Sequence, residues 1–132
     1  MEGLTNLENA VLEMLVDGKA ETFQRLRKQY LAAHVVERHL TGVGFWTYFS
    51  IPDEIARLPG NPSFRFGDVD ADIKGLQNGA GFLILIKNGY IHMLEGYSFD
   101  EPWPDDTNTF KLFYRSGLHR NEEEVIKSFS PA

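Results

Sequence analysis

The sequence predicts an α+β fold in which two N-terminal helices pack on a curved, mainly antiparallel sheet of five or six strands. Apolar residues first recur at helical spacing and then alternate with polar ones, and two Asn-Gly pairs lie between strand-like runs. We expect one domain over 1–132, helical at 4–33, with a sheet at 35–115 that contains a β-meander at about 69–99. Residues 116–132 form a short C-terminal tail or helix in this prediction.

The first helix is predicted from an apolar stripe and from signals at both of its ends. Thr5 followed by Glu8 fits a capping box, in which each side chain accepts a hydrogen bond from a free backbone amide. Asp17-Gly18 is expected to end this helix, because glycine accepts the left-handed conformation of a C-terminal cap. A second stripe predicts a helix from about Glu21 to Ala33.

Strand pairing is predicted from the pairs Asn78-Gly79 and Asn88-Gly89, which favour two-residue type I′ turns. Such turns determine the register. The second turn places Leu85 opposite His92 and Phe82 opposite Glu95, and the first places Ile73 opposite Ile84 and Asp70 opposite Lys87.

Alternation then assigns residues to two faces of the sheet. The face that we expect the helices to cover carries Val69, Ala71, Ile73, Phe82, Ile84, Ile86, Ile91 and Met93, with Glu95 at its end. The opposite face carries Asp68, Asp70, Asp72, Leu83, Leu85, Lys87, Tyr90, His92 and Leu94. The three aspartates of this face are expected to be solvated, with Asp70 paired to Lys87. The alternatives are that a second chain covers them, or that they hold a hard cation to which a partner supplies further oxygens.

The composition excludes several classes of protein. The chain contains no cysteine, which excludes a disulfide framework, a thiolate zinc site and a cysteine nucleophile. A formal net charge of −6 and the absence of an arginine-rich run argue against a nucleic-acid partner and favour a basic protein partner. No cofactor or metal motif is present, so neither is expected.

The longest apolar run, 82–86, is much shorter than the roughly 20 residues of a membrane span. The N-terminus has neither a basic segment nor a long apolar stretch, so it does not read as a signal peptide. We therefore expect a cytoplasmic protein with no membrane partner.

Asp72, Tyr90 and His92 are candidates for ligand binding or acid–base chemistry. The predicted register places Asp72 and His92 on either side of Leu85, and a histidine polarised by a carboxylate is suited to general acid–base catalysis. The alternative is a half-exposed histidine that only packs against its neighbours.

Glu95 is a second candidate, because the predicted register places its carboxylate on the apolar face. A carboxylate there needs a partner or shifts its pKa. Arg38, Arg65 or His39 could supply that partner.

The segment after Glu95 is a candidate for protein binding. Trp103 lies between two prolines, near the carboxylates of Glu101, Asp105 and Asp106. A rigid, exposed tryptophan is typical of an interaction hot spot. The alternative is a tryptophan that folds back to close one end of the core.

Two functions remain open from the sequence. The first is a small, acidic, non-enzymatic protein-binding module, similar in kind to an immunity protein or an adaptor. The second is a cone-like domain that binds a small ligand or acts as an enzyme. A homodimer could also form through an exposed edge strand at Val43–Ile51 or Thr109–Arg115.

Overall fold

The computed structural model describes residues 3–132, and it confirms the α+β class. The helices are α1 (Asn6–Leu15), α2 (Glu21–Ala32) and α3 (Glu122–Lys127). The strands are β1 (His34–Leu40), β2 (Gly44–Ser50), β3 (Phe64–Phe66), β4 (Val69–Ile73), β5 (Ala80–Lys87), β6 (Tyr90–Ser98), β7 (Phe110–Tyr114) and β8 (Ser130–Pro131). Residues 3–132 thus form more strands than the five or six expected. The C-terminal segment adds the short strand β8, and the residues on the two sides of Gly67 form two separate strands, β3 and β4.

The capping box at the start of α1 is confirmed. Thr5 Oγ1 accepts the backbone N–H of Glu8 at 3.0 Å, and Glu8 Oε1 accepts the N–H of Thr5 at 2.8 Å. The left-handed cap expected at Gly18 is wrong, since Gly18 does not have a positive φ. Glycine fits there for a different reason: a Cβ would lie 2.8 Å from Cδ2 of the buried Phe23 ring.

All strand pairs of the sheet are antiparallel, in the order β1-β2-β6-β5-β3-β8. The strand β4 pairs with one end of β5 and with β7. The helices cover one face of this open sheet, and the core lies between them. Its fully buried members include Val11, Leu15, Phe23, Leu26, Val69, Phe82, Ile84, Ile86 and Leu94.

The turn at Asn88-Gly89 is confirmed, but a β-bulge changes the register behind it. Both turn residues have positive φ, 51° and 82°, and Lys87 lies opposite Tyr90. The pairing then shifts by one residue at His92, so that Leu85 faces Met93 and Leu83 faces Glu95. The predicted pairs Leu85–His92 and Phe82–Glu95 are therefore wrong.

The bulge also exchanges the two faces of β6, because side chains alternate along a strand. Leu94 is fully buried in the core, whereas Met93 and Glu95 lie on the opposite face. The predicted positions of all three residues are corrected by this single extra residue.

The two-residue turn predicted at Asn78-Gly79 is wrong. A longer loop connects β4 to β5, and Glu101 holds it by accepting the backbone N–H groups of Gln77 and Asn78 at 2.7 and 2.9 Å. In the observed register Asp70 lies opposite Gly81, so the predicted pairs Ile73–Ile84 and Asp70–Lys87 do not form. The register is displaced by an even number of residues. The predicted faces of β4 and β5 are consequently right although the partners are wrong.

One of the two predicted edge strands is an edge of the sheet and the other is not. The strand at Val43–Ile51 corresponds to β2, which lies inside the sheet between β1 and β6. Within residues 3–132 the edges include β1 and β7, and β7 corresponds to the predicted strand at Thr109–Arg115.

Candidate functional site

A cleft of about 340 Å³ opens at the end of the sheet where the turn between β1 and β2 lies. Phe45 forms its buried floor and Trp103 one of its walls. The exposed side chain of Leu40 and the carboxylate of Asp105 lie at its rim. Glu8 and Arg38 line the side next to α1.

Glu8 carries a buried carboxylate, with 1% of the residue exposed. Its Oε1 accepts the Thr5 amide and Arg38 Nη2, the latter at 2.6 Å. Its Oε2 accepts Arg38 Nε at 3.0 Å and the hydroxyl of the buried Thr47. Four donors thus surround one carboxylate, which leaves it little capacity for a ligand. The network mainly joins α1 to β1 and β2.

From the sequence, Arg38 is one expected partner of Glu95. The hydrogen bonds that join Glu8 to Arg38 and Thr47 are not predicted. The capping box is the sequence feature that indicates a role for Glu8, and that role is confined to the start of α1. Its second role depends on strands about 30 residues later in the chain, and no local pattern reveals that contact.

The segment that carries Trp103 is anchored on both sides. The backbone N–H of Trp103 donates to Gly42 O at 2.9 Å. The indole ring packs edge-on against the Phe45 ring, with 5.7 Å between the ring centroids. The ring is half-buried against the core. These contacts favour the interpretation in which Trp103 closes one end of the core, while its remaining surface lines the cleft.

The carboxylates near Trp103 divide into two kinds. The Glu101 carboxylate already accepts hydrogen bonds from two backbone N–H groups of the β4–β5 loop. Asp100, Asp105 and Asp106 are exposed, and none of them forms an ion pair within residues 3–132. We call the segments 40–44 and 100–106 around the cleft the acidic end.

The structure does not bring Asp72 and His92 together. Asp72 lies beyond the start of β5, whereas His92 lies beside the Asn88-Gly89 turn at the other end of the same hairpin. At about 3.3 Å per residue, the two are about 20 Å apart along the strand. The predicted convergence over Leu85 is wrong.

His92 instead packs edge-on against Tyr48, with 5.5 Å between ring centroids. Burial, and to a smaller extent the Lys87 ammonium, lowers the pKa of His92 below its ordinary value of 6.5. Both effects favour the neutral imidazole over the charged one. Tyr90 packs beneath the guanidinium of Arg57, at 4.8 Å from the ring centroid. Roles for Asp72, Tyr90 and His92 in ligand binding stay predictions.

Glu95 lies on the uncovered face of the sheet, where its carboxylate accepts the indole N–H of Trp46 at 3.1 Å. None of the three predicted partners pairs with it. Arg38 binds Glu8, and His39 binds Glu37 at 3.0 Å.

The three aspartates around β4 have different environments. Asp68 forms a two-pronged pair with Arg120, both bonds being 2.9 Å, and Asp70 pairs with Arg115. Asp72 is exposed and lies opposite Lys111 of β7. The C-terminal segment and β7 thus supply the cations, and Lys87 does not.

Within residues 3–132, no group of three or more His, Asp or Glu side chains is arranged to hold a metal ion. No helix of that part of the chain is long and apolar enough to cross a bilayer. Comparison with protein-family models, curated proteins and solved structures finds no match to this chain.

Proposed function

We propose that this protein is a binding module whose acidic end recognises a basic and partly apolar surface of another protein. The observation that carries the proposal is the combination of exposed apolar side chains and unpaired carboxylates around one cleft. Leu40 is 77% exposed and Val43 is 44% exposed. Asp105 lines the same cleft as Leu40, and Asp100 and Asp106 belong to the same exposed segment as Trp103. Within residues 3–132 none of these three carboxylates forms an ion pair.

The physical argument is one of complementarity. An exposed leucine and valine beside a half-buried tryptophan provide the apolar centre that protein interfaces use for affinity. Carboxylates at the rim favour a cationic partner and speed its approach. The chain's net charge of −6 acts in the same direction at long range.

An acid–base enzyme has less support. Asp72 and His92 lie at opposite ends of a hairpin, and the Glu8 carboxylate in the cleft already accepts four hydrogen bonds. Catalysis requires groups within hydrogen-bonding reach of one another or of the substrate.

The test is a selection from an unbiased peptide library displayed on phage, with the purified protein as target. Enriched peptides should combine Lys or Arg with apolar residues, and their binding should weaken as salt is added. Binding is then measured by fluorescence anisotropy of the labelled peptides. The variant Asp105→Asn/Asp106→Asn and the variant Leu40→Ser should each raise the Kd about fivefold or more, equivalent to roughly 1 kcal/mol.

The matched control is Asp53→Asn/Glu54→Gln, which removes two exposed carboxylates from the loop beside the Asn88-Gly89 turn, at the opposite end of the sheet. It should leave the Kd unchanged. Enrichment of acidic or uncharged peptides would overturn the proposal, as would equal binding by the Asp105/Asp106 variant and the control. Trp103 is a poor probe, because its packing on Phe45 links it to stability.

A further inference from the structure

The face of the sheet opposite the helices carries an apolar, largely aromatic surface, which we call the outer face. One row of direct cross-strand neighbours runs across five strands. Its members, from β1 to β3, are Glu37, Tyr48, Met93, Leu85 and Arg65. A second row runs through His39, Trp46, Glu95 and Leu83.

The helices leave this outer face uncovered, because they pack on the other side of the sheet. Trp46 and Phe113 are each 41% exposed and Phe99 is 51% exposed, while Tyr48, Met93 and Tyr97 are half-buried. A sheet with apolar residues on both faces is stable in water when a second layer covers each face. A contiguous apolar patch of this kind marks an interaction surface.

The charges of the outer face indicate what that second layer is. The half formed by β1, β2 and β6 carries the carboxylates Glu37 and Glu95. Glu37 lies 3.0 Å from His39 of the same face and remains exposed, and Glu95 accepts the Trp46 indole N–H. The half formed by β5 and β3 carries the cations Lys87 and Arg65, and both are exposed. The carboxylates beside this half are Asp68 and Asp70, which are paired with Arg120 and Arg115, and Glu124, which lines a cleft with Arg65. Arg65 forms no ion pair within residues 3–132.

We infer that the outer face pairs with the outer face of a second copy of this chain. A two-fold axis that runs along the strands, between the two faces, places the acidic half of each copy over the basic half of the other. Glu37 of one copy then approaches Arg65 of its partner, and by symmetry the contact forms twice. Tyr48, Met93 and Leu85 form the apolar centre between these charges, as in two sheets packed about 10 Å apart.

The arrangement of charge selects this occupant and this axis. A two-fold axis perpendicular to the strands would place Glu37 over Glu37 and Arg65 over Arg65. A purely basic partner would match only the acidic half, and an acidic partner only the basic half. The inference is independent of the proposed function, since the acidic end lies beyond the outer face.

The experiment is sedimentation velocity on the purified protein over a concentration series, with charge reversals at the two ends of the row. The wild type should be a dimer. Glu37→Lys and Arg65→Glu should each raise the dimer Kd about tenfold or more, because each change places like charges together twice.

An equimolar mixture of the two variants should restore the dimer. In the mixed dimer the introduced lysine of one variant faces the introduced glutamate of the other, while the native Arg65 and Glu37 face each other.

Both variants keep a negative net charge, so recovery in the mixture cannot come from bulk attraction between oppositely charged proteins. Met93→Asp, at the centre of the row, should give a monomer, and Asp53→Lys should behave as the wild type. Circular dichroism establishes that each variant is folded. A monomeric wild type would overturn the inference. So would a dimer that ignores all these changes, which would place the contact elsewhere, for example at the edge strand β7.

Discussion

At the scale of single residues, Glu8 performs two structural tasks at once. It completes the capping box of α1 and binds Arg38 and Thr47 across the sheet. Because the pair is buried, removing one partner leaves the other charge without compensation in a medium of low dielectric constant. The same pair at the surface contributes much less, since water screens it.

Glu8→Gln is therefore expected to lower the free energy of unfolding by about 3 kcal/mol, a value typical of broken buried pairs. Urea denaturation at pH 7 measures it. The control is Glu13→Gln, which breaks the exposed pair with Arg27 and should cost less than about 1 kcal/mol. Equal costs for the two variants would contradict the view that the Glu8 network stabilises the fold.

At the scale of elements, α1, α2 and the β5–β6 hairpin follow from periodicity and turn residues. The capping box predicts the start of α1, and Asn88-Gly89 predicts the β5–β6 hairpin. The bulge at His92 could not be predicted, because an extra residue in one strand leaves the apolar pattern ambiguous by one position. That position decides the places of Met93, Leu94 and Glu95.

The start of α2 is another example, since its N-cap residue, Ala20, has no side chain that can accept a hydrogen bond. Glu122, distant in sequence, supplies the acceptor. Its Oε1 binds the backbone N–H groups of Ala20 and Lys19, each at 2.9 Å. These two hydrogen bonds, with the Ala20 amide contributing most, lower the pKa of Glu122 below its ordinary value of 4.5.

A carboxyl group whose pKa is lowered by folding stabilises the protein above its unfolded pKa, and this contribution is lost as the pH falls through its folded pKa. Glu122→Gln should accordingly lower the free energy of unfolding at pH 7 by about 1 kcal/mol, because charge-assisted hydrogen bonds become neutral ones. The deficit relative to the wild type should shrink as the pH falls below 4.5. Thermal melts across a pH series measure it, with Glu123→Gln as the neighbouring control, and a deficit independent of pH would refute this role.

At the scale of the whole molecule, Gln29 joins the helical layer to the sheet. Its buried amide donates to Gly89 O in the β5–β6 turn at 2.9 Å and accepts the Ile91 N–H at the start of β6 at 2.8 Å. The side chain thus replaces backbone partners next to the bulge. A buried glutamine is tolerated here because both ends of its amide are satisfied.

Gln29→Met keeps the length of the side chain but leaves the Ile91 amide without its acceptor. We expect a loss of about 2–3 kcal/mol in the free energy of unfolding. Hydrogen exchange should show reduced protection at Ile91, which a change in packing alone would not produce. Gln24→Met, on the exposed side of α2, should change stability by less than about 0.5 kcal/mol. Unchanged protection at Ile91 would argue that Gln29 only fills space.

The sequence by itself determined the fold class, the capping of α1, the turn at Asn88-Gly89 and the buried face of β4 and β5. These features depend on contacts between near neighbours or on a period of two, which survives a register displaced by an even number of residues.

The structure placed Trp103 at the cleft and separated Asp72 from His92. It also assigned the buried carboxylate to Glu8 instead of Glu95. These depend on one bulge and on side chains that hold distant segments, such as Glu101 on the β4–β5 loop. Such contacts form only when the chain is folded, because the energy that selects them comes from groups far apart in sequence.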